Sequence, residues 1–180
     1  PGMSHVFLNN MLVLAKYFTK RDCMKTHPGH FFHVGYPPLY FCYNVLEMLY
    51  PQLTGLYTVH GPSPFLKSTF EEIWDKEGKY LKSLSGNRFR SDTDVNQYLF
   101  REWQKLSGNF CPRNVQRGFR YFEIREPAYN RKMLSVIAEG QCGIVCVNDT
   151  GRVKHVAQVK KQLSQAFERQ LPECSSFEKD

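Results

Sequence analysis

With 180 residues, 42% of them hydrophobic and 14% aromatic, the chain has enough apolar side chain for a real core, which excludes a disordered segment and sets one domain as the expectation. A net charge of +7 points to an anionic partner, for which a nucleotide diphosphate, a polyanionic glycan and a membrane surface all qualify. The basic residues are scattered among acids and no helix-turn-helix or RNA-binding signature is present, so nucleic acid is left out of the expected partners.

Pro1-Gly2 ahead of Met3 reads as a remnant before a start, and residues 1–6 are set apart from a single folded region over 7–180. Phe7 to Met24 is expected to be one amphipathic helix, with Leu8, Met11, Leu12, Ala15 and Phe18 on one side and Asn9 and Asn10 helping to start it. The apolar run Met11 to Ala15 is short and meets Lys16, Lys20 and Arg21 rather than a small-residue cleavage site, so it does not read as a secretion signal. His27, His30 and His33 stand among prolines and glycines, which favours solvent or packing histidines over metal ligands.

A second helix is predicted from Leu39-Tyr40, carrying Val45, Leu46, Met48 and Leu49 inward. The segment Leu39 to Leu56 is the most apolar of the chain, but Asn44, Glu47, Pro51 and Gln52 interrupt it, so no transmembrane segment is expected. The location expected is cytoplasmic, with membrane association only through other components. Pro51 to Val59 reads as a short strand or extended lead-in to His60. Beyond the proline-punctuated loop His60 to Ser68, the spacing of Leu66, Phe70, Ile73, Trp74 and Leu81 predicts a helix that Ser85-Gly86-Asn87 breaks. Arg88 and Arg90 then precede another helix, capped at Ser91 or Asp92, with Val95, Leu99 and Trp103 as its buried stripe and a stop at Ser107-Gly108.

Gly118 to Ile124 favours a strand, Ala128 to Ala138 a helix, and Cys142 to Val147 a strand buried on both faces that ends abruptly at Asn148-Asp149-Thr150. A last helix runs from about His155 to Leu171. The expected class is therefore α/β, predominantly helical with a small sheet. The six cysteines show no paired CxxC and no Cys/His cluster, which argues against zinc and for reduced thiols in a core.

The run HGPSPFLKSTFEEIWDKE, followed by NRFRSDTDVNQYLFREWQKLSGNF, resembles the third conserved region of the Stealth family, which includes bacterial capsular-polysaccharide phosphotransferases and the catalytic subunit of the N-acetylglucosamine-1-phosphotransferase that tags lysosomal enzymes. Cys146-Val147-Asn148-Asp149-Thr150 resembles the fourth region, and Leu171 to Glu178 is similar to the family's ending. The resemblance implies the C-terminal portion of a Stealth-type catalytic domain. It also implies transfer of a sugar 1-phosphate from a nucleotide-sugar donor to a glycan acceptor, with His60, Arg90 and Asp149 at active-site positions and magnesium as cofactor. Earlier conserved regions of the family have no counterpart here. That leaves the C-terminal part of a longer enzyme, a short relative that borrows an N-terminal catalytic region from a partner chain, or a chain that no longer catalyses.

The residue chemistry stands beside that implication. Arg90 has the fork of donors that phosphate oxygens take, and Arg88 and Lys67 add positive charge, whereas the bland alternative for Arg90 is a surface salt bridge to Asp92 or Asp94. His60 titrates in the range needed to remove a hydroxyl proton. Asp149 is suited either to hold magnesium or to orient His60, or is simply a turn former. A non-catalytic glycan- or nucleotide-binding module is the second reading of the same residues.

Overall fold

The computed structural model describes residues 4–50, 52–56, 61–114 and 117–177. The described chain falls into two compact units, one spanning Pro1–Thr58 and Pro62–Arg113, the other Val59–Gly61 and Asn114–Asp180. Among the described residues, no helix is long and apolar enough to cross a membrane.

The first unit is helical: α1 (Ser4–Ala15), α2 (Lys20–Thr26), α3 (Pro28–Phe31), α4 (Pro38–Glu47), α5 (Lys67–Ser85) and α6 (Tyr98–Leu106). The single helix expected over Phe7 to Met24 is in fact two. Thr19 adopts an extended backbone and its hydroxyl accepts from the Asp22 N–H, a cap that begins a new helix, while Tyr17 and Phe18 in the break turn their rings onto Trp103. Both rings lie 4.9 Å from that indole, centroid to centroid. Trp103 is buried together with Leu14, Met24, Ile73, Leu99 and Leu106, each such side chain worth roughly 1.5–3 kcal/mol when withdrawn from water.

Three further expectations are corrected here. In α5 the inward seam is Thr69, Ile73, Glu77 and Leu81, and Trp74 is largely exposed. Glu77 is drawn inward by its partners: its Oε1 accepts from Lys16 Nζ at 2.7 Å and from the Tyr17 hydroxyl at 2.9 Å, and the helix is kinked at that residue. α6 starts at Tyr98, whose N–H donates to Asn96 Oδ1, and not behind a cap at Ser91 or Asp92. α4 has no buried residue, and Val45, Leu46 and Leu49 face outward. Leu53 and Leu56 pack on the core in a segment without strand, and Tyr57 and Val59 lie outside the described residues. His27, His30 and His33 pack as rings or accept locally: His30 lies 5.2 Å from the Phe110 ring, and His33 Nδ1 accepts from the Gly35 N–H.

The second unit is a β-α-β-α arrangement. Strand β1 (Phe119–Glu123) pairs in parallel with β2 (Ile144–Asn148), Phe119 opposite Ile144 and Glu123 opposite Asn148. Between them come a 3-10 turn at Pro127–Tyr129 and helix α7 (Arg131–Ala138), so the helix predicted from Ala128 starts later; α8 (Val156–Gln170) follows β2. Met133, Ile137 and Ala166 form the core, with Phe122, Val145, Val147 and Leu163 against it. β2 is only half-buried and exposed at both ends. In a two-stranded sheet each strand is also an edge, so burial on both faces is not reached. The thiols are likewise not gathered in a core: Cys23 is buried, but Cys42, Cys111 and Cys174 are exposed.

After α6, Gly108 takes φ +73°, and a Cβ there would stand 2.6 Å from the His27 ring. Gly108→Ala is expected to cost more than the roughly 1–2 kcal/mol of the left-handed backbone alone, because the ring must also move. In a His27→Ala background the same change should cost only about 1 kcal/mol, a difference read by urea unfolding followed through Trp103 fluorescence.

Candidate functional site

In the first unit, Arg88, Phe89 and Arg90 are exposed on a loop that follows the C-terminal end of α5. The loop is built around Asp94. Its Oδ2 accepts from the Ser91 N–H at 2.9 Å, and its Oδ1 from the Ser91 hydroxyl at 2.7 Å and from Asn87 Nδ2 at 3.4 Å. The Ser91 N–H, then its hydroxyl, and also the nearby charge of Arg90 hold the Asp94 carboxyl below its ordinary range. Among the described residues, neither Asp92 nor Asp94 forms an ion pair with Arg90. Asp94 spends its oxygens on Ser91 and Asn87, and the Arg90 guanidinium stays presented to solvent.

What fixes this loop from outside is α1. Asn9 Nδ2 donates to the carbonyls of Asp92 and Asp94 at 2.8 and 2.9 Å. The buried Asn10 donates to Asn96 Oδ1 at 2.7 Å and accepts from the Asn96 N–H at 3.2 Å. The two asparagines expected to start a helix instead clamp a segment more than eighty residues away.

The loop that leads into α5 is held by the polar side of α6. Arg101 Nη1 donates to the Ser63 hydroxyl at 3.2 Å, and Gln104 Oε1 accepts from the Leu66 N–H at 2.9 Å. Arg101 is buried beside Glu102, with Nε donating to Oε1 at 2.9 Å, and its guanidinium lies 4.1 Å from the centre of the Tyr98 ring. Lys105 Nζ reaches the second Glu102 oxygen at 3.0 Å, and burial, opposed by Glu102, holds the Lys105 ammonium below its usual pKa. Sequence reasoning passed over this group because charged residues beside a buried stripe ordinarily face solvent. No sequence signal marks it, since Arg101 and Lys105 fall opposite the apolar stripe, the ordinary place of a solvated face.

Lys67 begins α5, 92% exposed and 3.4 Å from Glu71 one turn on. The whole length of α5, about 28 Å at 1.5 Å per residue, separates it from the loop carrying Arg88 and Arg90. These cations are therefore not gathered around one phosphate. His60 lies outside the described residues.

In the second unit, Asp149 follows the carboxyl end of β2, the end where ligands collect in open parallel sheets. It is exposed, and its Oδ1 accepts from the N–H of Gly151, which takes φ +66°. At the same end of the sheet Glu126 receives the Lys154 N–H on one oxygen and the His155 ring Nδ1 on the other, both at 2.9 Å. Gly61 lies at the opposite end: a Cβ on it would come within 3.1 Å of the ring of Phe119, the first residue of β1. About 13 Å of strand separates Phe119 from the residue paired with Asn148.

Asp149 has one carboxylate oxygen not used by the Gly151 turn, which fits a single position on a hard cation. Among the described residues no group of three His, Cys, Asp or Glu side chains is placed to hold a metal. A magnesium ion here would take its other ligands from phosphate oxygens and water, as magnesium commonly does.

The chain is 33% identical over 175 residues to a capsular polysaccharide phosphotransferase of Streptococcus pneumoniae, an alignment covering 97% of this chain and 52% of the relative. It is 31% identical over 177 residues to a receptor polysaccharide phosphotransferase of Streptococcus gordonii, covering 98% of this chain and 52% of that one. An exopolysaccharide phosphotransferase of Lactiplantibacillus plantarum is 31% identical over 179 residues, covering 97% and 51%. The chain thus spans about half the length of the curated relatives it matches. No family model matches it, and no solved structure does.

Asn10→Ala is expected to cost about 1–3 kcal/mol, because it removes both bonds to Asn96 from a buried position, and to shift the backbone amide resonances of 92–96. In the second unit the Lys154 N–H first, and the His155 ring second, hold the Glu126 carboxyl below its ordinary 4.5. Its contribution to anchoring the start of α8 is therefore fully present above pH 4.5 and lost as pH falls through the lower folded value. A carboxyl-carbon NMR titration should place the Glu126 midpoint below 4.5, and Glu126→Gln should remove that part of the acid sensitivity.

Proposed function

Taking as premise that this chain belongs to the Stealth family of polysaccharide phosphotransferases, we propose that a protein of the relatives' length carrying it transfers a sugar 1-phosphate from a nucleotide-sugar to a hydroxyl of a glycan. The observation that carries this reading is similarity along nearly the whole chain to proteins named as polysaccharide phosphotransferases. In the reaction the acceptor oxygen bonds to the sugar-bearing phosphorus, the phosphoanhydride bond breaks, the hydroxyl proton passes to a base, and a nucleoside monophosphate leaves. Such a step is catalysed mainly by positioning and by neutralising charge on the phosphoryl oxygens.

Each residue of this chain is assigned its own task. Arg90 neutralises donor phosphate, a role supported by its exposure and by a loop held firmly through Asp94 and α1. Arg88, two residues before it, adds charge, while Lys67 is left to its pair with Glu71. His60 is assigned proton removal on the resemblance of its loop alone. Asp149 is assigned the cation, a role supported by the carboxylate oxygen that the Gly151 turn leaves unused at a strand's carboxyl end. When bound, magnesium would draw charge from the phosphate oxygens of the donor.

The test is release of nucleoside monophosphate by the full-length protein given a nucleotide-sugar, an acceptor glycan and magnesium. Arg90→Lys, which keeps the charge and loses the fork, should lower kcat/KM roughly 10²–10³-fold. His60→Ala should lower it roughly 10²–10⁴-fold. Asp149→Asn should raise the magnesium concentration needed for half-maximal rate. Activity within threefold of the parent for both Arg90→Lys and His60→Ala would remove the assignments. No monophosphate release by the unaltered full-length protein with any nucleotide-sugar would remove the reaction itself.

A further inference from the structure

Helix α4 is mounted with its polar side inward. Asn44 Nδ2 donates to the Phe31 carbonyl at 2.6 Å, Glu47 pairs with Lys20 at 3.0 Å and accepts from the Thr54 hydroxyl at 2.6 Å, and Arg21 caps the helix end by donating to the carbonyls of Met48 and Leu49. The side turned to solvent carries Leu39, Tyr43, Val45, Leu46, Leu49 and Tyr50, between 49% and 70% exposed, with Cys42 among them. A helix in water takes the opposite orientation when nothing else covers it. These side chains together expose several hundred Å², at or above the roughly 300–600 Å² of the largest patch on an ordinary monomer.

The surrounding sequence narrows what covers this face. From Thr26 to Leu66 there is no Lys or Arg, and Glu47, already paired with Lys20, is the sole carboxylate. Depletion of charge with enrichment in aromatic and aliphatic side chains marks the core of a protein–protein interface. A helix lying in a lipid surface would instead carry Lys or Arg along its polar side, and α4 has neither. The relatives supply a polypeptide partner of suitable size, since nearly half of their length lies outside the part this chain matches.

We propose that the outward face of α4, centred on Leu39, Cys42, Leu46 and Leu49, is the surface on which the section of the relatives not spanned by this chain packs. The proposal rests on the family relationship and not on the assignment of the reaction.

Cys42 lies on that face and reports its coverage without any substitution. The experiment measures the maleimide labelling rate of each cysteine by mass spectrometry. It compares the 180-residue chain with the same residues carried in a polypeptide of the relatives' full length. Cys42 should react at least about tenfold more slowly in the longer protein, whereas exposed Cys174 should react freely in both and core Cys23 in neither. Leu46→Glu should leave the thermal midpoint of the shorter chain within about 2 °C, since the site is exposed there. In the longer protein it should restore Cys42 labelling while Cys23 stays protected, which separates loss of docking from loss of fold.

Equal Cys42 rates in the two proteins would overturn the proposal. So would protection of Cys42 in the shorter chain that grows with protein concentration, which would make the occupant a second copy. Protection by vesicles of phosphatidylcholine and phosphatidylglycerol would make it a lipid surface and overturn the proposal as well.

Discussion

The first unit depends on burying α6 on almost every side. Leu99, Trp103 and Leu106 supply the apolar part, but Arg101, Glu102 and Gln104 are equally withdrawn from water. A buried charge is tolerated only when it is neutralised and hydrogen-bonded, and here one carboxylate is shared by a guanidinium on Oε1 and an ammonium that reaches both oxygens. Further bonds from α6 go to Ser63, Pro64 and Leu66, so the same helix also shapes the proline loop leading into α5. Replacing the carboxylate would take an ion-pair partner from two cations at once. Packing and polar satisfaction are one constraint here.

The second unit follows a different logic. Two parallel strands joined through α7 bury one modest core, and the functional interest lies at the carboxyl end of the strands, where backbone N–H groups turn toward Asp149 and Glu126. Asp149 is exposed and is placed by its bond from the Gly151 N–H. Arg90 is likewise exposed in its own unit. Both candidate residues stand on loops carried by rigid elements, the usual arrangement for groups that must meet a ligand.

Much of the fold could be read from the chain. The stop after α6 at Ser107-Gly108, the span of α5 and the last helix all follow from local capping and apolar spacing, which act over a few residues. In α5 and α4 tertiary partners decided the outcome. Spacing alone made Trp74 as good a core residue as Ile73, until Lys16 and Tyr17 pulled Glu77 inward and rotated the seam. Val45, Leu46 and Leu49 read as a core stripe because an apolar face normally seeks the interior of its own domain. Asn44 and Glu47 bind inward instead, and that could not be foreseen without knowing where Phe31 and Lys20 stand. The split at Thr19 was legible, since Thr19-Lys20-Arg21-Asp22 has the form of a capping box. For the candidate site, the sequence offered Arg90 and Asp149 as candidates through the resemblance, together with their place on loops. The separation of Arg90 from Lys67 was not legible there, because it is set by the length of α5.

The tie between α1 and the arginine loop has a consequence for the order in which the molecule acquires its shape. Its hydrogen bonds join residues 83, 85 and 86 positions apart, so they form only after a long closure has lost its chain entropy. Helices α1 and α5 can begin to coil locally within microseconds, whereas the loop between α5 and α6 has only its internal ties to Asp94 until α1 has docked. On a ribosome, α1 emerges before its partner segment and waits for it to be synthesised. The arginine loop would thus be among the last parts of the first unit to become fully ordered, and a nascent chain would hold its local helices before it held this loop in place.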